Sequence, residues 1–227
     1  MKYKDYMKKR TRPSPPSNSD SQRRKILSCV LQQVPFDGWT EAAFANGIKQ
    51  TGLTRAEATR LMPGGIRDAI EQFGLEADDA MEQAIKANRG FARLRTRDKV
   101  AFGVRTRLEY LTPQREAVRR LMFWYALPLN MPMGLRRMMK TVDLIWKAAG
   151  DTATDYNFYT KRILLAGVMK ATILYWLDDA SANCEASWAF LDRRISEILK
   201  VGKSISLLKE FSPDEVMGFI KRKIRSG

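Results

Sequence analysis

Residues 145–162 read IWKAAGDTATDYNFYTKR. A helix-period apolar run ends at Gly150, a glycine suited to the left-handed position just past a helix C-terminus. Asp151 and Asp155 flank a polar turn in which Thr152, Thr154 or Asp155 can cap a following helix. The next segment carries Tyr156, Phe158 and Tyr159 and closes on Lys161 and Arg162. Two consecutive helices joined by a short acidic-aromatic corner are the pattern expected here, and helical periodicity extends outward from it.

Upstream, Leu135–Ala149 reads as a helix, preceded by the connector LPLNMPMG. Downstream, Thr154–Leu177 and Cys184–Lys200 read as two more. Towards the N-terminus, Ile26, Leu27, Val30, Leu31 and Val34 make one apolar helical face, which the sequence PFDGW is expected to break. Thr40–Gln50 and Thr54–Met62 are short helices separated by Gly52, a helix-turn-helix-like arrangement. Ile66 to about Lys86 and Leu94–Leu111 follow, and Thr112-Pro113 opens the next, Thr as cap and Pro at the first helical position. No alternating β pattern competes, so the expectation is an all-α protein of about ten helices. It divides into a disordered basic arm at 1–21, a helix-turn-helix-like unit at 22–65, a helical body at 66–200, and a linker with a terminal helix at 201–227.

Composition narrows the chemistry. The 227 residues contain no histidine and two cysteines, Cys29 and Cys184, without CxxC spacing. Imidazole-based acid–base catalysis, His-ligated metals and a thiolate zinc site are excluded, and a disulfide framework is not expected. A reducing compartment fits. Adjacent acidic pairs such as Asp78-Asp79 diverge on a helix, so no catalytic constellation and no cofactor is expected. The net charge of +15 implies an anionic partner. No apolar leader is visible, and Ile163–Leu177, interrupted by Lys170, is too short to span a bilayer.

Three features bear on function. The middle of the chain is rich in Met and aromatic residues, among them Trp124, Met139, Tyr159, Met169, Trp176 and Trp188. A plain core accounts for such a set, and so does a site for flexible lipid tails. The helix Thr154–Leu177 is apolar around much of its circumference, Leu165 included, which calls for cover on several sides. A neighbouring helix, a second copy and a bound lipid together supply it. The C-terminal segment SPDEVMGFIKRKIRSG places Val216, Met217 and Ile220 on one helical face with Phe219 beside them. Lys221 lies opposite and Lys223 at the edge, the profile of an in-plane membrane helix. Finally, Arg55, Arg60 and Arg67 suit phosphate contacts.

The unit ILSCVLQQVPFDGWTEAAFANGIKQTGLTRAEATRLMPGG resembles the DNA-binding domain of TetR-type repressors, with Gly38-Trp39 and Gly52-Leu53 at the corner positions. The helix that would read DNA ends Thr59-Arg60-Leu61-Met62, lacking that family's aromatic and histidine cluster, so DNA is not the expected partner. A closer resemblance is to the coenzyme Q accessory lipid-binding family of ubiquinone biosynthesis, which has a TetR-like fold. It rests on Ala126-Leu127-Pro128 with Asn130 and Pro132, Val142-Asp143, Ile145-Trp146, Ala149-Gly150-Asp151-Thr152, Thr154-Asp155, Asn157, Tyr159-Thr160-Lys161-Arg162 and Ser187–Ile195, together with Val34-Pro35 and Gly38-Trp39-Thr40. Lys147 and Phe158 stand where that family carries aromatic residues.

The resemblance implies a protein that does no catalysis itself. It implies an apolar site for isoprenoid lipids or quinone intermediates, a homodimer formed through the last two body helices, and an end helix on the membrane. It also implies a di-iron demethoxyubiquinone hydroxylase docking at Asp143 and Trp146, with Lys147 beside them. The expected location is cytoplasmic and peripheral on the inner membrane in a bacterium, or the matrix side in a mitochondrion.

Overall fold

The computed structural model describes residues 18–152 and 156–209. Among the described residues nine α-helices run in the order α1 Asn18–Asp37, α2 Glu41–Thr51, α3 Arg55–Leu61, α4 Ile66–Ala87, α5 Thr96–Leu111, α6 Arg115–Ala126, α7 Met131–Ala148, α8 Tyr156–Leu177 and α9 Glu185–Lys209. Short 3-10 turns lie at Phe91–Arg93, Thr112–Gln114 and Ala182–Cys184, and no strand occurs among the described residues. The described residues form two compact units, 18–76 with 119–124, and 77–118 with 125–152 and 156–209. The first thus extends past Gly65 into α4 and recruits part of α6.

In the first unit α1 packs on α2 and α3. Gly47 permits the contact, since a Cβ there would sit 2.8 Å from Val30 Cγ2 and 2.9 Å from its Cα. α1 starts at Asn18, inside the stretch expected to be a disordered arm, continues through Pro35 and ends at Asp37, within the PFDGW sequence expected to break it. The Arg120 guanidinium donates to Pro35 O at 2.6 Å, and Gly38, at φ 69°, accomplishes the stop. Trp39 then lies buried on Phe73, ring centroids 5.4 Å apart.

Thr40 caps α2, its hydroxyl accepting from Ala43 N at 3.1 Å. Thr54 and Glu57 form a capping box on α3. Hydrogen bonds from the Thr54 side chain and backbone hold the Glu57 carboxyl below its ordinary range.

In the second unit α5 packs against α7 and α9, α7 against α8, and α8 against α9. The turn into α9 is tied by Asp179, whose carboxylate accepts from Ser181 N, Ser187 N and Ser187 Oγ at 2.8, 2.8 and 2.5 Å. Those bonds, the Ser181 and Ser187 ones foremost, keep its carboxyl far below the usual range against the opposing effect of burial. α9 runs on to Lys209, so residues 201–209, read from sequence as linker, are helical. α7 starts at Met131 instead of Leu135, and α5 starts at Thr96 after a 3-10 turn instead of at Leu94.

A buried charge cluster sits inside this unit. Asp78 on α4 accepts from Arg107 Nε at 2.9 Å and from Thr141 Oγ1 at 3.0 Å, and pairs with the Arg137 guanidinium. Burial pushes the Arg107 guanidinium down to about 10, against the opposing pull of Tyr125. Asp79, next in sequence, faces solvent.

The α7–α8 corner and its surroundings

α7 ends in a Schellman motif. Gly150, at φ 89°, donates to Lys147 O at 3.1 Å, and Asp151 N donates to Trp146 O at 2.9 Å. This turns the chain so that Asp151 faces the first turns of α8. There Arg162, 3% exposed at its side chain, lies between two carboxylates: its Nη2 is 2.7 Å from Asp143 Oδ1 and its Nη1 is 3.1 Å from Asp151 Oδ2. Nη1 also donates to Phe158 O at 3.1 Å, and the guanidinium lies 3.4 Å from the centre of the Phe158 ring. Lys161 Nζ binds Asp151 Oδ1 at 2.7 Å and lies 5.6 Å from the Trp146 ring. Lys147 Nζ reaches Asp143 Oδ2 at 2.5 Å. Burial raises the Asp151 carboxyl, but the hydrogen bonds and charges of Lys161 and Arg162 outweigh that and leave it below its usual value.

The corner is therefore a latch of two acids and two bases closing α7 onto α8. Thr154 and Asp155 lie outside the described residues. Asp143 and Lys147 are partly exposed. Trp146 corrects the docking expectation. It is 3% exposed and its indole N–H donates to Lys161 O at 3.1 Å, so the ring is core and offers no surface. Trp146→Phe removes that donor and part of the ring, and the expected cost is about 1–3 kcal/mol in urea unfolding, with the lost carbonyl partner included.

The lipid-binding candidates divide. Leu165, Met169 and Trp176 share the inner stripe of α8 and are fully buried. The Trp176 indole N–H is buried with no hydrogen-bond partner, while the Arg115 guanidinium covers its ring at 4.8 Å. Met139 is half-buried on α7, and Tyr159 points outward from α8. Trp188 lines a groove of about 220 Å³ with Leu94, Ala101, Phe102 and Leu191, the Arg105 guanidinium 5.2 Å above its ring. Trp124 belongs to the first compact unit, where it lies 5.7 Å beneath the Arg67 guanidinium. The membrane candidates Val216, Met217, Phe219, Ile220, Lys221 and Lys223 lie outside the described residues.

Sequence reasoning missed Arg162 as an organising residue, along with the Asp78–Arg107–Arg137 cluster. The signal was available for Arg107, which sits among Val104, Leu108 and Leu111 on the buried side of α5. A charge on an apolar stripe is a buried charge with a partner elsewhere.

The fold class is that of TetR-type regulators. A TetR transcriptional regulator from Nitrosomonas europaea superposes with a TM-score of 0.65 over 79% of this chain and 99% of that one, at 17% identity. Residues 131–202 match the COQ9 family model. The ubiquinone biosynthesis protein COQ9, mitochondrial, of Rattus norvegicus is 33% identical over 87% of this chain and 65% of its own length. Its Homo sapiens counterpart is 29% identical over 87% of this chain and 64% of its own. The chain resembles the COQ9 family along most of its length, and spans just under two thirds of the length of these relatives.

Proposed function

We propose that this chain is a non-catalytic accessory protein of ubiquinone biosynthesis. In this reading it binds an isoprenoid or quinone intermediate at a membrane surface and presents it to the demethoxyubiquinone hydroxylase. One observation carries the reading. The COQ9 family match at 131–202 falls on α7, α8 and most of α9. Those helices hold Met139, Tyr159, Leu165, Met169, Trp176 and Trp188, six of the seven lipid-binding candidates. The buried indole N–H of Trp176, without a partner, supports a ligand carrying an acceptor oxygen, because such groups are rarely left orphaned. Asp143 and Lys147 remain the proposed docking residues. Among the described residues no helix is long and apolar enough to cross a membrane, and peripheral attachment is assigned to the segment 212–227.

The test is extraction of purified full-length chain with organic solvent, followed by mass spectrometry of the extract. A co-purifying isoprenoid or quinone supports the reading, and its absence from membrane-associated preparations overturns it. Deleting 212–227 should weaken liposome association without altering the unfolding midpoint.

A homodimer is part of the proposal. Tyr159, Ile163 and Leu174 are exposed along one side of α8 around Lys170, and Tyr175, further round the helix, stacks on Phe190 of α9 at 4.7 Å. Ile163→Glu places a charge in that face and is expected to convert a dimer to a monomer in sedimentation velocity, with secondary structure retained.

The TetR-like fold with exposed Arg55, Arg60 and Arg67 supports a second reading, a lipid-responsive DNA-binding regulator. It requires sequence-selective, salt-steep duplex binding that survives removal of 1–22. Glu57, a carboxylate in the first turn of α3, weighs against it.

A further inference from the structure

The turn between α6 and α7 presents an unusual surface. Leu127, Leu129, Met131 and Leu135 are 55, 86, 59 and 62% exposed. Leu127 and Leu129 lie in the turn, while Met131 and Leu135 stand one helical turn apart at the start of α7. Exposed aliphatic residues are ordinary when single; four together in nine residues make a patch that asks for cover.

The turn that carries them is held firmly. Asn130, itself buried, donates from its backbone N to Leu127 O at 2.9 Å, and Met131 N donates to the same oxygen at 3.0 Å. Met133 N and Gly134 N return to Asn130 O at 3.0 and 3.1 Å. A Cβ at Gly134 would lie 2.7 Å from the Tyr125 ring, so the end of α6 and the start of α7 approach as closely as glycine allows. The leucines are therefore displayed by a preformed corner.

Two properties select the partner. Pro128 and Pro132 have no N–H, and the backbone bonds just described occupy the amides of Asn130 and Met131. The tip therefore enters an apolar medium with few unsatisfied donors, the condition a hydrocarbon boundary imposes. Its charge is one-sided as well. Residues 125–142 contain no Asp or Glu, and Arg136 and Lys140 are exposed one to two turns further along α7, on the side away from Met131 and Leu135. An aliphatic tip with cations higher on the same helix, placed where long side chains reach headgroups, matches the acyl boundary below anionic headgroups. A protein-binding hot spot would more often be built on Trp, Tyr or Arg at its centre.

We propose that the α6–α7 corner is a membrane-contact element of the folded body. Leu127, Leu129, Met131 and Leu135 enter the acyl boundary of an anionic bilayer, and Arg136 and Lys140 engage its headgroups. This deepens the peripheral-membrane part of the function proposed above and adds a contact that does not depend on the segment 212–227.

The test uses the full chain and vesicles of phosphatidylcholine mixed with phosphatidylglycerol. The double substitution Leu127→Ser and Leu129→Ser is expected to weaken co-flotation roughly tenfold, from the apolar area withheld from lipid, with an unchanged unfolding midpoint. In parallel, an environment-sensitive fluorophore on Leu129→Cys, in a Cys29→Ser background, is expected to shift to the blue on vesicle addition. If the parent chain binds vesicles while the double variant binds equally well and the fluorophore does not shift, this inference falls and the peripheral-membrane reading stands. If the parent chain does not bind at all, both fall. If the double variant turns monomeric while its monomers keep full vesicle affinity, the corner is a contact between copies, and the inference is overturned. Should the double variant misfold, the fluorophore decides alone, an unshifted spectrum on bound chain being the overturning result.

Discussion

Replacing Arg162 with Ala is expected to lower the unfolding midpoint of the full chain by roughly 6–20 °C. The estimate takes about 3–5 kcal/mol for removing one partner of a buried ion pair, and about 2–4 °C per kcal/mol for a chain of this size. The carboxylates left behind differ. Asp151 is nearly as buried as Arg162 and keeps only Lys161, whereas Asp143 is partly open and keeps Lys147. Most of the penalty therefore falls on Asp151. Arg162→Lys should recover part of the loss, because one ammonium cannot span two carboxylates as a guanidinium does. Differential scanning calorimetry of the three proteins checks the order.

The same substitution has a pH signature. The Asp151 carboxyl is held below its ordinary value in the folded chain. A group depressed on folding contributes stability above its unfolded value of about 4, and loses that contribution as pH falls through the folded value. Arg162→Ala removes one of the bonds responsible, so the folded value rises and this contribution shrinks. The difference in midpoint between parent and variant should be widest near neutrality and narrow below about pH 4. A constant difference across that interval would mean that the loss is one of packing against Phe158 instead of charge.

Arg162 also shows where the sequence was legible and where it was not. Gly150 was readable as a helix stop because its role depends on the neighbouring five residues, and the Schellman bonds are local. The helices themselves followed from 3.6-residue periodicity, another local signal. The alternation of buried and exposed residues on α8 is different. Its sequence is apolar nearly all round, so periodicity could not say that Leu165, Met169 and Trp176 face inward while Ile163 and Leu174 face out. Trp146 failed for a related reason. An aromatic near a helix end serves a surface as well as a core, and only the return of α8 across it, supplying the Lys161 carbonyl, decides between them. Pro35 inside α1 is the opposite case: a strong local breaker sits in the helix's last turn, and its carbonyl is satisfied by a distant residue, Arg120.

The largest effect is expected at Asp78. Asp78→Ala leaves the guanidiniums of Arg107 and Arg137 facing each other in the interior, with no carboxylate between them, and leaves Thr141 only the Arg137 carbonyl at 3.3 Å as acceptor. The loss should be at least the about 3–5 kcal/mol typical of one orphaned buried charge. Against a total stability of about 5–15 kcal/mol, much of the chain should fail to fold. Asp78→Asn keeps the shape and one acceptor oxygen but not the charge, and is expected to fall between parent and Asp78→Ala in urea unfolding. The decisive comparison is Asp78→Leu combined with Arg107→Met and Arg137→Leu. If electrostatics cause the defect, removing all three charges together restores folding, since apolar residues of similar volume replace buried ion networks at little cost. Failure of the triple variant alongside a folded Asp78→Asn would instead assign the cluster a geometric role in joining α4, α5 and α7. The pH response separates the cases again. Arg107 is pushed down to about 10 by burial, so its charged form is disfavoured in the folded chain. The unfolded chain binds more protons above that value, and the contribution of this site to stability rises with pH there. In the triple variant that rise should be absent.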